Sequence, residues 1–302
     1  MLFLTSAGVE AVRLEPADVI DLVAAALSQK AAGSVELPPK LGLSPQPGAV
    51  LHAMPARIGD ALGMKWIASF PANRTRGLPP TAGLIVLNDP DTGAPTAVLD
   101  ADWITTARTG AVAAVAARHL ARASSQVVAI IGPGRIGTAA LRALRLALPL
   151  RSARAWAPRA AAKKRFAAAL GTEAAASLED AVRGADLIVT SAPWPGGPPS
   201  IEPGWIAPGA FACALDYDAS FTTEAVARFD VRVTDDVPQM DVARAKGSFA
   251  KWPRFSELCE ARRKQEDQRI FCAALGLALF DVAVATRVVQ LARERGVGRE
   301  VN

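Results

Sequence analysis

The run Val127-Val128-Ala129-Ile130-Ile131-Gly132-Pro133-Gly134-Arg135-Ile136-Gly137 sets three glycines between an apolar, β-branched stretch and an alanine-rich helical pattern. That order suits phosphate chemistry. A buried strand must end in a tight turn, which Gly132 permits. Gly134 lets a pyrophosphate approach the backbone, and Gly137 lets the next helix pack on the strand. The helix then presents its unpaired N–H groups to the phosphates. The expectation is a dinucleotide site built from Gly132, Gly134, Arg135, Ile136 and Gly137. The next strand bears on which dinucleotide. NAD-binding chains carry Asp or Glu about 20 residues beyond the loop, where it bonds the ribose hydroxyls. Here that place reads Trp156-Ala157-Pro158-Arg159, without an acid. A 2′-phosphate would meet no repulsion there, and Arg159, with Lys163 or Lys164 beside it, can pair with the phosphate. The pattern favours NADP(H) over NAD(H). A later strand ends in Thr190-Ser191-Ala192-Pro193-Trp194, and strand ends of this kind are where such folds hold cofactors, so Thr190 and Ser191 join the set.

The elements that must position these residues read as two folding units, one of them split. Residues 1 to about 108 look like α+β. A short strand precedes a helix opened by Glu15-Pro16, with Val19, Ile20, Leu22, Val23 and Ala26 on one face. Strands are predicted at 50–54, 64–70, 83–88 and 96–100, the last two joined by the turn signal Asp89-Pro90-Asp91-Thr92-Gly93. The stretch 71–80 is too rich in proline and glycine for regular structure. A helix over 101–121 leads to the glycine loop. Strands at 153–156, 185–191, 209–215 and 231–234, with helical segments between the earlier ones, imply an α/β, doubly wound parallel sheet. Residues 270–295 read as one long helix returning to the first unit. The expected domains are therefore 1–108, completed by about 282–302, and 109–281.

Composition narrows the class. With 51% hydrophobic and 21% charged residues the chain is globular rather than disordered. No apolar run reaches the roughly 18 residues of a membrane span, and the longest, 270–280, is interrupted by Asp281. The first residues, Met1-Leu2-Phe3-Leu4, lack a basic leader and a signal-peptide core. The net charge of +5 is dispersed over helices, at Arg142, Arg145, Arg151 and Arg154 for example, rather than gathered with aromatics, so nucleic-acid binding is not expected. Cys213, Cys259 and Cys272 lack metal-ligand rhythm and are expected as reduced core residues in a cytoplasm. His52, His119 and the tryptophans Trp66, Trp103, Trp194, Trp205 and Trp252 are expected to be structural, and no metal site is visible.

An ordered set of motifs carries a resemblance that spans nearly the whole chain. Met64-Lys65-Trp66-Ile67, Pro71-x-Asn73, Gly77-Leu78-Pro79, Thr92-Gly93, Ala107-Arg108-Thr109-Gly110-Ala111, the glycine loop, and Leu275-Gly276-Leu277-Ala278 with Asp281 and Ala283 resemble the ornithine cyclodeaminase/mu-crystallin family. The resemblance implies a Rossmann domain beside a substrate and dimerisation domain, usually in a homodimer. It implies hydride transfer between a nicotinamide and the α-carbon of an amino or imino acid. The leading expectation is an imine (ketimine) reductase or amino-acid dehydrogenase. Ornithine cyclodeamination to proline, or a crystallin-like NADP(H)-binding protein without turnover, are the alternatives.

It also implies residue roles. Arg108 matches the arginine that fixes the substrate carboxylate, a task suited to a planar guanidinium. Lys65 matches a strand lysine beside the substrate, able to bind the carboxylate or move a proton. Asp218, nine residues beyond Gly209 of Pro208-Gly209, matches the acid that serves the substrate nitrogen. Asp216 stands where relatives commonly have glycine. If the strand persists, both carboxylates point the same way and one pKa rises, so Asp216 is the second candidate acid. Lys40 replaces an early arginine that contacts the same carboxylate, keeping the charge but not the fork. The family's loop threonine falls near Pro80 or Thr81, and Ile136 stands where Gln is common. These departures count against ornithine as the substrate.

Overall fold

The computed structural model describes residues 1–193 and 197–301, so Trp194 lies outside the described residues. The chain divides into two compact units, Met1–Arg108 with Leu277–Asn302, and Thr109–Gly276. The first segment runs β1 (Leu2–Leu4), α1 (Ser6–Ala11), α2 (Pro16–Ala31), β2 (Val35–Glu36), β3 (Leu41–Leu43), β4 (Val50–Ile58), β5 (Ala61–Ser69), β6 (Thr81–Asn88) and β7 (Pro95–Asp100). Pro16 opens α2, whose Val19, Ile20, Val23, Ala26 and Leu27 are buried. The turn between β6 and β7 closes on Asp89, whose Oδ1 accepts from Thr92 N at 2.8 Å and from Thr92 Oγ1 at 2.7 Å. The stretch expected to be irregular holds a 3₁₀ turn at Pro71–Arg76, ended by Gly77 in the left-handed region at φ 70°. Proline suits the first turn of such a helix, and Asn73 ties the far side by donating to Pro79 O at 3.2 Å.

The chain continues through α3 (Asp102–Leu120), β8 (Val127–Ile131), α4 (Arg135–Ala147), β9 (Ser152–Trp156), α5 (Ala160–Leu170), β10 (Glu173–Ala174), α6 (Leu178–Val182), β11 (Leu187–Thr190), β12 (Phe211–Ala214), α7 (Thr223–Ala227), β13 (Val231–Thr234), α8 (Val237–Ala245), β14 (Ser256–Glu257) and β15 (Ile270–Ala273). Among the described residues, β8 to β15 form one sheet in the order β10-β9-β8-β11-β12-β15-β13-β14. Every pairing is parallel. The strand order reverses between β8 and β11, the switch point at whose carboxyl edge ligands bind in such sheets.

Ile270–Ala273 corrects the expected long helix. It is a fully buried strand between β12 and β13, and Gly276 at φ 78° separates it from the next helix. A strand buried on both faces shows no polar alternation, so its four residues merged in sequence with the apolar start of that helix.

The return segment holds α9 (Ala278–Glu294) and β16 (Arg299–Glu300). It completes the first unit's mixed sheet, ordered β16-β1-β7-β6-β5-β4-β2 with β3 on β4. Helix α9 packs on β4, β5, β6 and α2 through buried Phe280, Val284, Val288 and Leu291. Each such side chain contributes roughly 2 kcal/mol of burial, which fixes the first turn of α9 over the middle of β5. Among the described residues no helix is long and apolar enough to cross a membrane.

Candidate functional site

In the first unit, Lys65 sits at the centre of β5, between Met54 of β4 and Ile85 of β6. Its side chain is 1% exposed and lies on the face that α9 covers. Burying an ammonium demands a counter-charge. Asp281, in the first turn of α9 and fully buried, supplies it: Oδ2 lies 2.7 Å from Lys65 Nζ. Arg108 Nε donates to the other oxygen, Oδ1, at 3.0 Å. Thr105 Oγ1 stands 3.5 Å from Nζ. One carboxylate thus holds two cations, leaving the cluster short of negative charge.

Burial lowers the Lys65 pKa from 10.5 to about 7, assisted by the Arg108 charge and, less, by Lys40, while attraction and hydrogen bonding to Asp281 oppose the fall. Lys65 is therefore poised to exchange a proton near neutrality. Arg108 uses Nε for Asp281, and among the described residues its two terminal nitrogens bond no protein group. A guanidinium anchored in that way presents a fork suited to a carboxylate. Lys40 is half-buried and close enough to act on Lys65.

In the second unit, β8 ends at Gly132, at φ 86°, whose N–H donates to Trp156 O at 3.0 Å and whose carbonyl accepts from Ser191 Oγ at 2.7 Å. A Cβ on Gly132 would lie 2.6 Å from the backbone of Ser191 and Ala192, and one on Gly137 would lie 2.7 Å from Gly132 O. A Cβ on Gly134 would meet nothing within 4 Å. Two of the glycines are therefore packing requirements, and the third opens a backbone surface. Gly134 also caps α4 with no side-chain acceptor, so no capping side chain competes with an anion for the start of α4. This cradle fits a dinucleotide pyrophosphate.

Thr190 and Ser191 hold the loop with their own hydroxyls. Thr190 Oγ1 donates to Asp216 Oδ1 at 2.6 Å, while Ser191 Oγ is bonded to Gly132 O. Arg159 is exposed at the start of α5 and has no ion-pair partner among the described residues. Lys163 instead donates to Ala175 O and, at 3.2 Å, to Ala176 O, which takes it out of the expected phosphate pair. Lys164 is exposed, and Ile136 is half-buried.

The two aspartates after β12 do not share a strand face. The strand ends at Ala214, and Tyr217 adopts φ 58°, so the alternation invoked for Asp216 and Asp218 is broken. Asp216 is 3% exposed and accepts from Thr190 Oγ1, from Ala192 N at 2.8 Å and from Ser220 Oγ at 2.7 Å. Burial pushes its carboxyl up, and its hydrogen bonds, those from Thr190 and Ser220 first, pull it part of the way back; no second carboxylate is among the causes. Asp218 is half-buried, with Oδ2 accepting from Phe249 N at 2.9 Å, and Tyr217 stacks on Phe249 at 5.3 Å between ring centroids.

The remaining expectations divide. Cys213 and Cys272 are buried free thiols, but Cys259 is only half-buried. Trp252 packs in the core, whereas Trp66 is 39% exposed and is not a packing residue of this chain alone. His52 is half-buried in β4, and His119 lies 2.6 Å from Arg262 with its pKa lowered by burial and then by that charge. The pairing of Asp281 was not read from the sequence, although a lone acid inside an apolar run was the available signal.

The description of the Ornithine cyclodeaminase/mu-crystallin family matches residues 1–296. An alanine dehydrogenase of Archaeoglobus fulgidus is 31% identical, over 99% of this chain and 98% of that protein. Among solved structures, the Delta(1)-pyrroline-2-carboxylate reductase of Thermococcus litoralis, in complex with NADH and L-proline, superposes with a TM-score of 0.88 at 26% identity, covering 100% of both chains. An archaeal alanine dehydrogenase dimer with bound NAD gives 0.89 at 29% identity, covering 100% of this chain and 99% of that one. The fold, the glycine cradle and this likeness along the whole length agree: the chain belongs to the ornithine cyclodeaminase/mu-crystallin family.

Proposed function

We propose that this chain is an NAD(P)-dependent oxidoreductase, preferring NADP(H), that reduces the imine of an α-imino acid or oxidises the matching amino acid. The observation that carries this reading is the buried Lys65–Asp281–Arg108 cluster, an anion receptor with a guanidinium fork and a lysine titrating at about 7. The nicotinamide supplies or accepts hydride when bound. Arg108 holds the substrate carboxylate through its terminal nitrogens, and Lys65 and Lys40 add charge to the same group. Asp281 fixes the direction of both Arg108 and Lys65. Asp218 serves the substrate nitrogen, giving a proton as an imine becomes an amine and taking one in reverse. In this reading the first unit is the substrate and dimerisation domain, and the second holds the dinucleotide on Gly132, Gly134, Arg135, Ile136 and Gly137.

Two finer points have their own support. Arg159, exposed where NAD enzymes place an acid, favours a 2′-phosphate. A homodimer is supported by the outer face of the first unit's sheet, where Leu41, Ala53, Trp66 and Leu84 stand in register across β3 to β6. Leu41 is 72%, Leu84 47% and Trp66 39% exposed there, and a second copy covering this face would remove that apolar surface from water. The similar archaeal alanine dehydrogenase is a dimer. Three free thiols fit a cytoplasmic enzyme.

The test is oxidation of NADPH and of NADH with cyclic imines and with 2-oxo acids plus ammonia or methylamine, alongside NAD(P)⁺ reduction with ornithine, lysine and alanine. Turnover of an imine carrying an α-carboxylate, with NADPH ahead of NADH, is expected. Proline and ammonia released from ornithine would replace this reading with cyclodeamination. Cofactor binding without any turnover would replace it with a binding protein.

A further inference from the structure

Asp216 is a buried carboxylate that the proposed chemistry does not use. It is 3% exposed, and its hydrogen-bond partners are neutral: the Thr190 and Ser220 hydroxyls and the Ala192 N–H. Burial raises its pKa above the ordinary carboxylate value, and the donors directed at it oppose that rise by favouring the ionised form; once ionised, its charge is little screened by solvent or salt. Its place in the fold is specific. It follows β12 and is bonded to the last residue of β11, at the carboxyl edge and on the β11–β12 side of the switch point.

In a sheet of this order the two nucleotides lie on opposite sides of that point. The position that reads the adenosine ribose is the end of β9, so the β11–β12 side serves the nicotinamide. The oxidised nicotinamide ring carries one positive charge, and the reduced ring carries none. A fixed negative charge beside it therefore separates the two redox states, whereas a neutral residue treats them alike.

We propose that Asp216 is a specificity-determining residue for cofactor redox state, its buried carboxylate favouring the oxidised nicotinamide over the reduced one. The inference rests on nicotinamide binding by this unit. Oxidised cofactor is then held more firmly than it would be beside a neutral residue, and its departure slows the reductive direction.

The experiment measures dissociation constants of the full chain at pH 8 for NADP⁺ and NADPH, by calorimetry and by cofactor fluorescence, in wild type, Asp216→Asn and Ser220→Ala. Asparagine keeps the shape and the bonds, its Oδ1 accepting from Ala192 N–H and Ser220 Oγ while its Nδ2 donates to a turned Thr190 hydroxyl, but removes the charge. Asp216→Asn is expected to weaken NADP⁺ roughly tenfold while NADPH moves by less than about twofold. Ser220→Ala, which removes a donor and keeps the charge, should leave the ratio of the two constants unchanged. Equal weakening of both forms by Asp216→Asn, or no change in either, overturns the proposal and leaves Asp216 a loop clamp. If Asp216→Asn does not fold, Asp216→Gly takes its place with the same expected ratio. Failure of the wild type to bind either form would instead remove the cofactor reading itself.

Discussion

Replacing Asp281 with Asn tests the anion receptor most directly. The carboxylate is fully buried and meets Lys65 at 2.7 Å and Arg108 at 3.0 Å, one oxygen each. Asparagine retains one acceptor, which can still serve Arg108 Nε. Its amide N–H₂ then faces the Lys65 ammonium, donor against donor. Breaking a buried pair while leaving the partner charged costs about 3–5 kcal/mol. For a domain of this size that corresponds to a fall in Tm of roughly 10 °C, read by scanning calorimetry at pH 5.5, on the charged side of the Lys65 titration. Because attraction to Asp281 raises the Lys65 pKa, its loss drives that pKa below about 7, and any activity limb set by Lys65 moves to lower pH. Adding Lys65→Met removes the stranded cation, so the double variant should regain about 1.5 kcal/mol or more relative to Asp281→Asn alone. A double variant whose loss equals the sum of the single ones would refute the cluster as described.

Arg108→Ala should lower kcat/KM for carboxylate-bearing substrates by roughly a thousandfold, the weight of about 4 kcal/mol, while the NADPH dissociation constant stays within twofold of wild type, as titration of each variant would record. Arg159→Ala should weaken NADPH about tenfold and leave NADH unchanged; equal effects on both would dismiss the 2′-phosphate pairing. Trp66→Glu puts a charge in the row Leu41–Ala53–Trp66–Leu84 and should yield monomers by light scattering, with the far-ultraviolet circular dichroism unchanged. Global stability should also depend on Lys65. Its pKa is about 7 folded against 10.5 in the free side chain, so between these values the unfolded chain binds more protons. That contribution to stability is fully present above 10.5 and is lost as pH falls toward 7, and Lys65→Met should flatten the slope in chemical denaturation across this window.

The glycine loop was legible because each glycine does a separate steric job that no other residue does as well. The structure assigns two of those jobs to packing and one to an open backbone. The longer strands of the first unit were legible from alternation, though β4 runs on to Ile58, four residues past its expected end at Met54. The short strands β2 and β3 and the helix α1 were missed, since two to six residues carry too little periodicity. The resemblance supplied Lys65, Arg108 and Asp218 as separate candidates. What joins the first two was invisible, because Arg108 and Asp281 are 173 positions apart and meet only once α9 lies over β5. The same-face argument for Asp216 and Asp218 failed at Tyr217, whose left-handed backbone nothing in its side chain announces.

The residues assigned to the proposed reaction also differ in what they can do for it. On the proposed reading the substrate carboxylate keeps its charge from imine to amine, so Arg108 and Lys40 would bind substrate, transition state and product with similar strength. Such uniform binding lowers KM and orients the α-carbon without by itself lowering the chemical barrier. Acceleration must come from groups whose partner changes charge during the step. On the proposed reading these are Asp218, facing a nitrogen that gains or loses a proton, and Lys65, the cation of its cluster that titrates near neutrality. Loss of Arg108 should therefore appear mainly in KM, and Asp218→Asn mainly in kcat. An Arg108 variant with an unchanged KM and a collapsed kcat would mean that the guanidinium touches the reacting atoms, and the division of roles between the cluster and Asp218 would have to be redrawn.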